Sequence, residues 1–222
     1  MKGFHLNLVS TSAATVPLLF DAGMVIFAMT IALWLRPWRI LGHRNPPWAW
    51  LAACATMPVL WCADRLVGVS SMPMMSLAPL LVLLAGWPLA VLALLPVGVV
   101  AALTAHLGLG EALHRLVWIG LVPATLTLGL GAASRRWLPK HIVIYIFGRG
   151  FFGVLVATAV AGAATLLMQT PPIITVDFGG RFVARLLMSA SEAAICGFLV
   201  ASLVIFRPAL LATYADRLYL PR

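Results

Sequence analysis

The sequence predicts an all-α, polytopic bundle of about seven (six to seven) membrane-spanning helices, and three observations carry that expectation. Of 222 residues, 63% are hydrophobic and 9% are charged, more apolar surface than a water-soluble domain of this size can hide beneath a solvated shell. The apolar residues fall into runs of roughly the 20 residues that a spanning helix needs. The arginines gather at the ends of those runs, as topology signals do. Spans with short connections use up the chain, so residues 1–222 read as a single integral membrane domain with no room for an aqueous ATPase or other catalytic module.

The first span is expected from about Ala13 to Leu35. Residues 1–15 are rather polar with Lys2 as their one cation, and the apolar run reaching Trp34 is longer than a signal core, so a retained helix is expected. Arg36, Arg39 and Arg44 follow, with Pro46-Pro47 as a stop. The second span covers about Trp48 to Val67 and carries Asp64 and Arg65 at its end. The third begins near Met72 and reaches Gly86, where Gly86-Trp87-Pro88 turns tightly into a fourth that runs to about Leu107. The fifth covers about Leu113 to Gly131, with Arg135, Arg136 and Lys140 behind it. The sixth covers about Ile142 to Met168, and its glycines and alanines suit close helix contact in lipid. The longest connection, Gln169 to Gly180, contains Pro171-Pro172. The seventh span covers about Phe182 to Phe206.

Seven spans put nine Lys or Arg on one side (Arg36, Arg39, Arg44, Arg135, Arg136, Lys140, Arg207, Arg217, Arg222) and five on the other (Lys2, Arg65, Arg115, Arg181, Arg185), with Arg149 inside a span. The positive-inside rule then puts the N-terminus outside and the C-terminus in the cytoplasm. The net charge of +9 does not form one basic face with interleaved aromatics, so the expected partner is the lipid bilayer and no nucleic acid. Cys54, Cys62 and Cys196 lie in apolar stretches without CxxC spacing, and read as packing residues instead of a disulfide or zinc framework.

Ionisable groups at membrane depth are the strongest functional leads, since each is costly unless paired or hydrated. Asp21, Arg149 and Glu192 are such groups. One reading pairs Arg149 with Glu192 or Asp21 as an interhelical lock; the other has Glu192 or Asp21 facing a polar cavity and touching a cation or proton. Met72, Met74 and Met75 surround Pro73, and their thioethers suit a soft metal such as Cu(I), or serve as adaptable filler. His5 is a further candidate metal donor. His106, Glu111 and His114 lie near one loop, and Glu111 and His114 are three apart on a helical face. There is no phosphate loop, HExxH, GxSxG or CxxCH pattern, so no catalytic residue, enzyme activity or covalently bound cofactor is expected.

Gly148-Arg-Gly-Phe-Phe-Gly153, Ser191-Glu-Ala-Ala, and the tail Phe206-Arg-Pro-Ala-Leu-Leu-Ala-Thr-Tyr-Ala-Asp-Arg-Leu-Tyr-Leu220 resemble the short proteobacterial branch of the CbiM family. These are substrate-specific membrane subunits of energy-coupling factor transporters for cobalt or nickel. The resemblance implies a six- or seven-helix bundle in a bacterial inner membrane, with its N-terminus outside. It also implies a transition-metal ion as the transported solute, and separate T and ATPase subunits as partners. Members usually carry a histidine directly after the initiator methionine, where this chain has Lys2, and another at the start of the third span, where Met74 or a neighbour stands. These departures imply a softer metal or another solute. They also motivate a second reading, a non-transporting accessory subunit packed against a larger membrane complex.

Overall fold

In a computed structural model, the structure describes residues 2–36, 48–68, 74–137, 139, 141–168 and 178–211, with 2–15, 168 and 209 described for their backbone alone. Eight helices are named here: α1 (Lys2–Trp34), α2 (Trp48–Trp61), α3 (Ala63–Val67), α4 (Ala78–Ala85), α5 (Trp87–Thr104), α6 (Leu109–Trp137), α7 (Ile142–Leu167) and α8 (Phe178–Phe206). A single 3₁₀ turn, Pro208–Leu210, follows α8. No strand occurs among the described residues.

Among the described residues, five helices are long and apolar enough to cross a bilayer: α1 from Val16 onward, α5, α6, α7 and α8. The second and third expected spans are not among these five, because neither is a continuous rod of spanning length over the described residues. Helix α2 ends after 14 residues and its run is broken at Cys62 before the one-turn α3. Helix α4 begins at Ala78, not near Met72, and has 8 residues. At 1.5 Å per residue it covers about 12 Å, less than half of a hydrocarbon core of about 30 Å. The expected turn at Gly86 is present: its φ of 84° is a left-handed value that glycine adopts without strain. Pro79 and Pro88 stand in the first turns of α4 and α5, where a missing N–H costs nothing. The seventh span begins four residues earlier than expected, at Phe178. The connection before it, from 169 to 177, and the tail from 212 onward lie outside the described residues.

Helix α4 can be this short because protein surrounds it. Every residue from Ala78 to Leu84 is buried, and in the non-helical segment 74–77 that leads into it Ser76 and Leu77 are buried and Met74 and Met75 half-buried, the condition under which non-helical backbone is tolerated at membrane depth. Helices α6, α7 and α8 pack together, with Ala157 and Ala161 almost fully buried. Small residues let these backbones approach where lipid supplies no hydrophobic drive. Thr158 and Thr165 return their hydroxyls to the carbonyls of Val154 (2.9 Å) and Ala161 (2.7 Å), satisfying themselves inside the apolar interior. Outward, Leu19, Phe27, Phe198 and Ile205 are each about 70% exposed. Such a belt has no rationale in water and a direct one in hydrocarbon. The chain is a multi-pass, all-α membrane protein.

The chain direction sorts the two ends of the bundle. One end gathers the C-termini of α2 and α5 and the N-termini of α6 and α8. The other gathers Arg36, Arg135, Arg136 and Arg207. Both α6 and α7 contain a widened π-helical stretch, Leu116–Leu121 and Tyr145–Phe152. Such stretches shift the register of side chains and free carbonyls for other partners.

Candidate functional site

The polar interior begins at Glu192, midway along α8 and 2% exposed. Its two oxygens accept hydrogen bonds from the backbone N–H groups of Ser76 and Leu77, both at 2.8 Å. These amides lie at the start of the half-length helix α4, where donors have no carbonyl within the helix to meet. Its side chain therefore supplies the two acceptors that the bilayer cannot. Ser76 continues the network: its hydroxyl donates to the carbonyl of Ile119 in the π-helical stretch of α6, and its own carbonyl accepts from Trp61 Nε1 at 3.0 Å. One four-residue segment thus joins α2, α4, α6 and α8.

Above this network, toward the end where α2 and α5 terminate, lies a cavity of about 480 Å³. Asp64, Arg65, Glu111, His114 and Arg115 line its upper part, and Met74, Trp118, Ile119, Thr165 and Arg185 its lower part. A narrower pocket of about 30 Å³ shares Met74, Trp118, Ile119, Thr165 and Arg185, and reaches Ser76 and Glu192.

Arg115 organises the upper wall. It is 5% exposed and its guanidinium grips Asp64 in a fork, at 2.9 and 2.7 Å. It also donates to Glu111, to the carbonyl of Trp61 and, at 3.3 Å, to the Met74 thioether. Arg65 closes the cluster with two bonds to Glu111, at 3.1 and 3.0 Å. Burial pushes the Asp64 carboxyl up, but hydrogen bonds and charge from Arg115 and Arg65 outweigh it and hold the group below the usual carboxylate range.

Asp21 is 3% exposed although α1 lies at the edge of the bundle. It accepts from Trp118 Nε1 at 3.2 Å and meets His114 Nδ1 at 3.2 Å, so it ties α1 to α6. Arg149 is also buried, with its guanidinium 5.6 Å from the Tyr145 ring and its tip against Gly131 of α6. All three intramembrane ions expected from the sequence are therefore interior. Arg149, however, is not what holds the two carboxylates: Glu192 takes backbone amides of the 74–77 segment, and Asp21 takes His114 and Trp118.

Of the candidate metal donors, Met74 lines both cavities, Met75 is half-buried against the apolar core, and Met72 and the side chain of His5 lie outside the described residues. Glu111 and His114 do not act together. Glu111 turns to Arg65 and Arg115, and His114 to Asp21. Among the described residues, no three His, Cys, Asp or Glu side chains form a metal-holding group. Cys62 and Cys196 are buried and Cys54 half-buried, all as free thiols.

Sequence reasoning missed the Asp64–Arg115 pair and Arg185. Asp64 and Arg115 were expected as interfacial charges at span ends; the signal that pointed further was the four-residue spacing of Glu111 and Arg115 on one helix face. Arg115 and Arg185 lie within α6 and α8 facing the cavity, not in loops. A scan against protein-family models and searches of curated proteins and of solved structures find no match to this chain.

Proposed function

We propose that this protein is the membrane-embedded substrate-binding subunit of an energy-coupling-factor-type importer for a transition-metal ion of the cobalt or nickel type, or copper, in a bacterial inner membrane. In this reading separate T and ATPase subunits drive release. The observation that carries it is the cavity of about 480 Å³ at the end of the bundle remote from Arg135, Arg136 and Arg207. With Arg115 and Arg185 removed from the count of loop charges, the arginine bias between the two ends grows, and the positive-inside rule turns the cavity and the N-terminus outward. Met74 and His114 give its wall a soft and a borderline donor, and the Glu192 network gives it a fixed base. The test is cobalt, nickel and copper accumulation in cells with and without the gene. Unchanged accumulation of all three defeats the reading.

A specific observation favours a second reading, a non-transporting accessory subunit of a larger membrane complex. Both upper carboxylates are already engaged by arginine, and Met74 already accepts from Arg115. Purification in mild detergent separates the two: a stoichiometric partner unrelated to an ATPase supports the accessory role, and a T-subunit partner or a lone monomer counts against it.

A further inference from the structure

The charged groups around the cavity and the pocket beneath it are not all paired. Asp64 and Glu111 are matched by Arg115 and Arg65, Asp21 faces His114, and Glu192 is engaged by the backbone amides of Ser76 and Leu77. Arg185 remains. It lines both the large cavity and the narrow pocket beneath it, and its guanidinium has no ion pair or hydrogen bond among the described residues. Its stem runs over Gly162 of α7, where an added Cβ would lie 3.5 Å from Cδ, so the side chain is aimed by packing. Seven residues separate it from Glu192, about 10 Å along α8. An unpaired guanidinium in a cavity wall is a planar fork that an oxyanion fits, and carboxylates fill that fork with two parallel bonds.

The dimensions agree. The cavity, at about 480 Å³, has room for more than a metal ion with six waters and falls in the range of about 300–1,000 Å³ typical of small-molecule sites. A bare dication would also meet Arg65, Arg115 and Arg185 on the same walls, where the lining carboxylates Asp64 and Glu111 are already paired with arginine. We propose that Arg185 recognises a carboxylate on the solute, so that a transported metal enters still held in a polycarboxylate chelate and not as a hydrated cation. The identity of the chelated ion as a metal rests on the importer reading above; recognition of the carboxylate by Arg185 does not.

The test uses the full chain in phosphatidylcholine nanodiscs, titrated by calorimetry with Ni²⁺ alone, citrate alone and the 1:1 Ni²⁺–citrate complex. The wild type is expected to bind Ni²⁺–citrate, and Arg185→Gln to bind it at least tenfold more weakly at an unchanged melting temperature. If Arg185→Gln does not fold, Arg185→Lys carries the comparison: it keeps the charge, loses the fork, and is expected to bind more weakly than wild type. Citrate binding as tightly without metal, and losing affinity in Arg185→Gln, upholds the carboxylate site and defeats metal import. Ni²⁺ binding alone, unaffected by the substitution, overturns the carboxylate site and leaves metal import standing. No binding of any probe overturns both. Phosphatidylglycerol retained by the wild type from the host membrane but not by Arg185→Gln, with no citrate binding, assigns the fork to a lipid headgroup and overturns the proposal.

Discussion

Replacing Glu192 should loosen the segment that leads into α4 before it unfolds anything else. Two buried N–H donors, Ser76 and Leu77, end on its oxygens at 2.8 Å each. Leaving one buried donor without an acceptor costs about 1–3 kcal/mol. Glu192→Gln keeps one oxygen and turns an amide NH₂ toward the other donor, so one bond is lost and the expected cost is about 1–3 kcal/mol. Glu192→Ala strands both donors, about 2–6 kcal/mol, and adds the cost of the space left behind. Amide hydrogen exchange reads these two groups directly. An opening made easier by about 1–3 kcal/mol raises exchange about 5- to 150-fold. Faster exchange is therefore expected at Ser76 and Leu77, ordered wild type, Glu192→Gln, Glu192→Ala, with α7 unaffected. Unchanged exchange at both amides in Glu192→Ala would refute the assignment of Glu192 as their acceptor.

Three further outcomes are expected. Arg115→Met should lower stability by about 3–5 kcal/mol in thermal unfolding, because it leaves the buried Asp64 uncompensated; adding Asp64→Asn should recover part of that loss. The Asp64 carboxyl is held below its unfolded value of about 3.9, so its contribution is present above about pH 4 and disappears as pH falls through the lower folded value. A melting-temperature profile from pH 6 to pH 3 should fall less steeply for Asp64→Asn than for wild type. Gly120→Ala places a Cβ 2.7 Å from the Trp61 ring, an overpacking expected to cost about 1–3 kcal/mol in the melting transition; Trp61→Phe in the same chain should relieve it.

Which residues would be interior was legible from composition. An ion in an apolar run is expensive anywhere but inside, and Asp21, Arg149 and Glu192 are 3%, 6% and 2% exposed. What they would touch was not legible. The acceptor role of Glu192 depends on a backbone segment 115 residues away, and backbone donors carry no mark in a sequence. The third span misled for a related reason. Its apolar run continues through Met74 and Met75, but nothing in the run marks the segment 74–77 as non-helical, and nothing at Leu77 announces its φ of 51°. Arg115 and Asp64 looked interfacial because each stands one turn from a run's end, where a solvated charge and a buried pair have the same local pattern.

The bond from Glu192 back to the entry of α4 also sets an order of assembly. Ser76 and Leu77 leave the ribosome more than a hundred residues before their acceptor exists. During that interval the short helix cannot rest against lipid with its leading amides bare. It must stay near water or within the insertion machinery until α8 arrives. A rod synthesised much later is thus the one that lets an early fragment settle, and a chain truncated before residue 192 should be handed to quality control and not to the membrane.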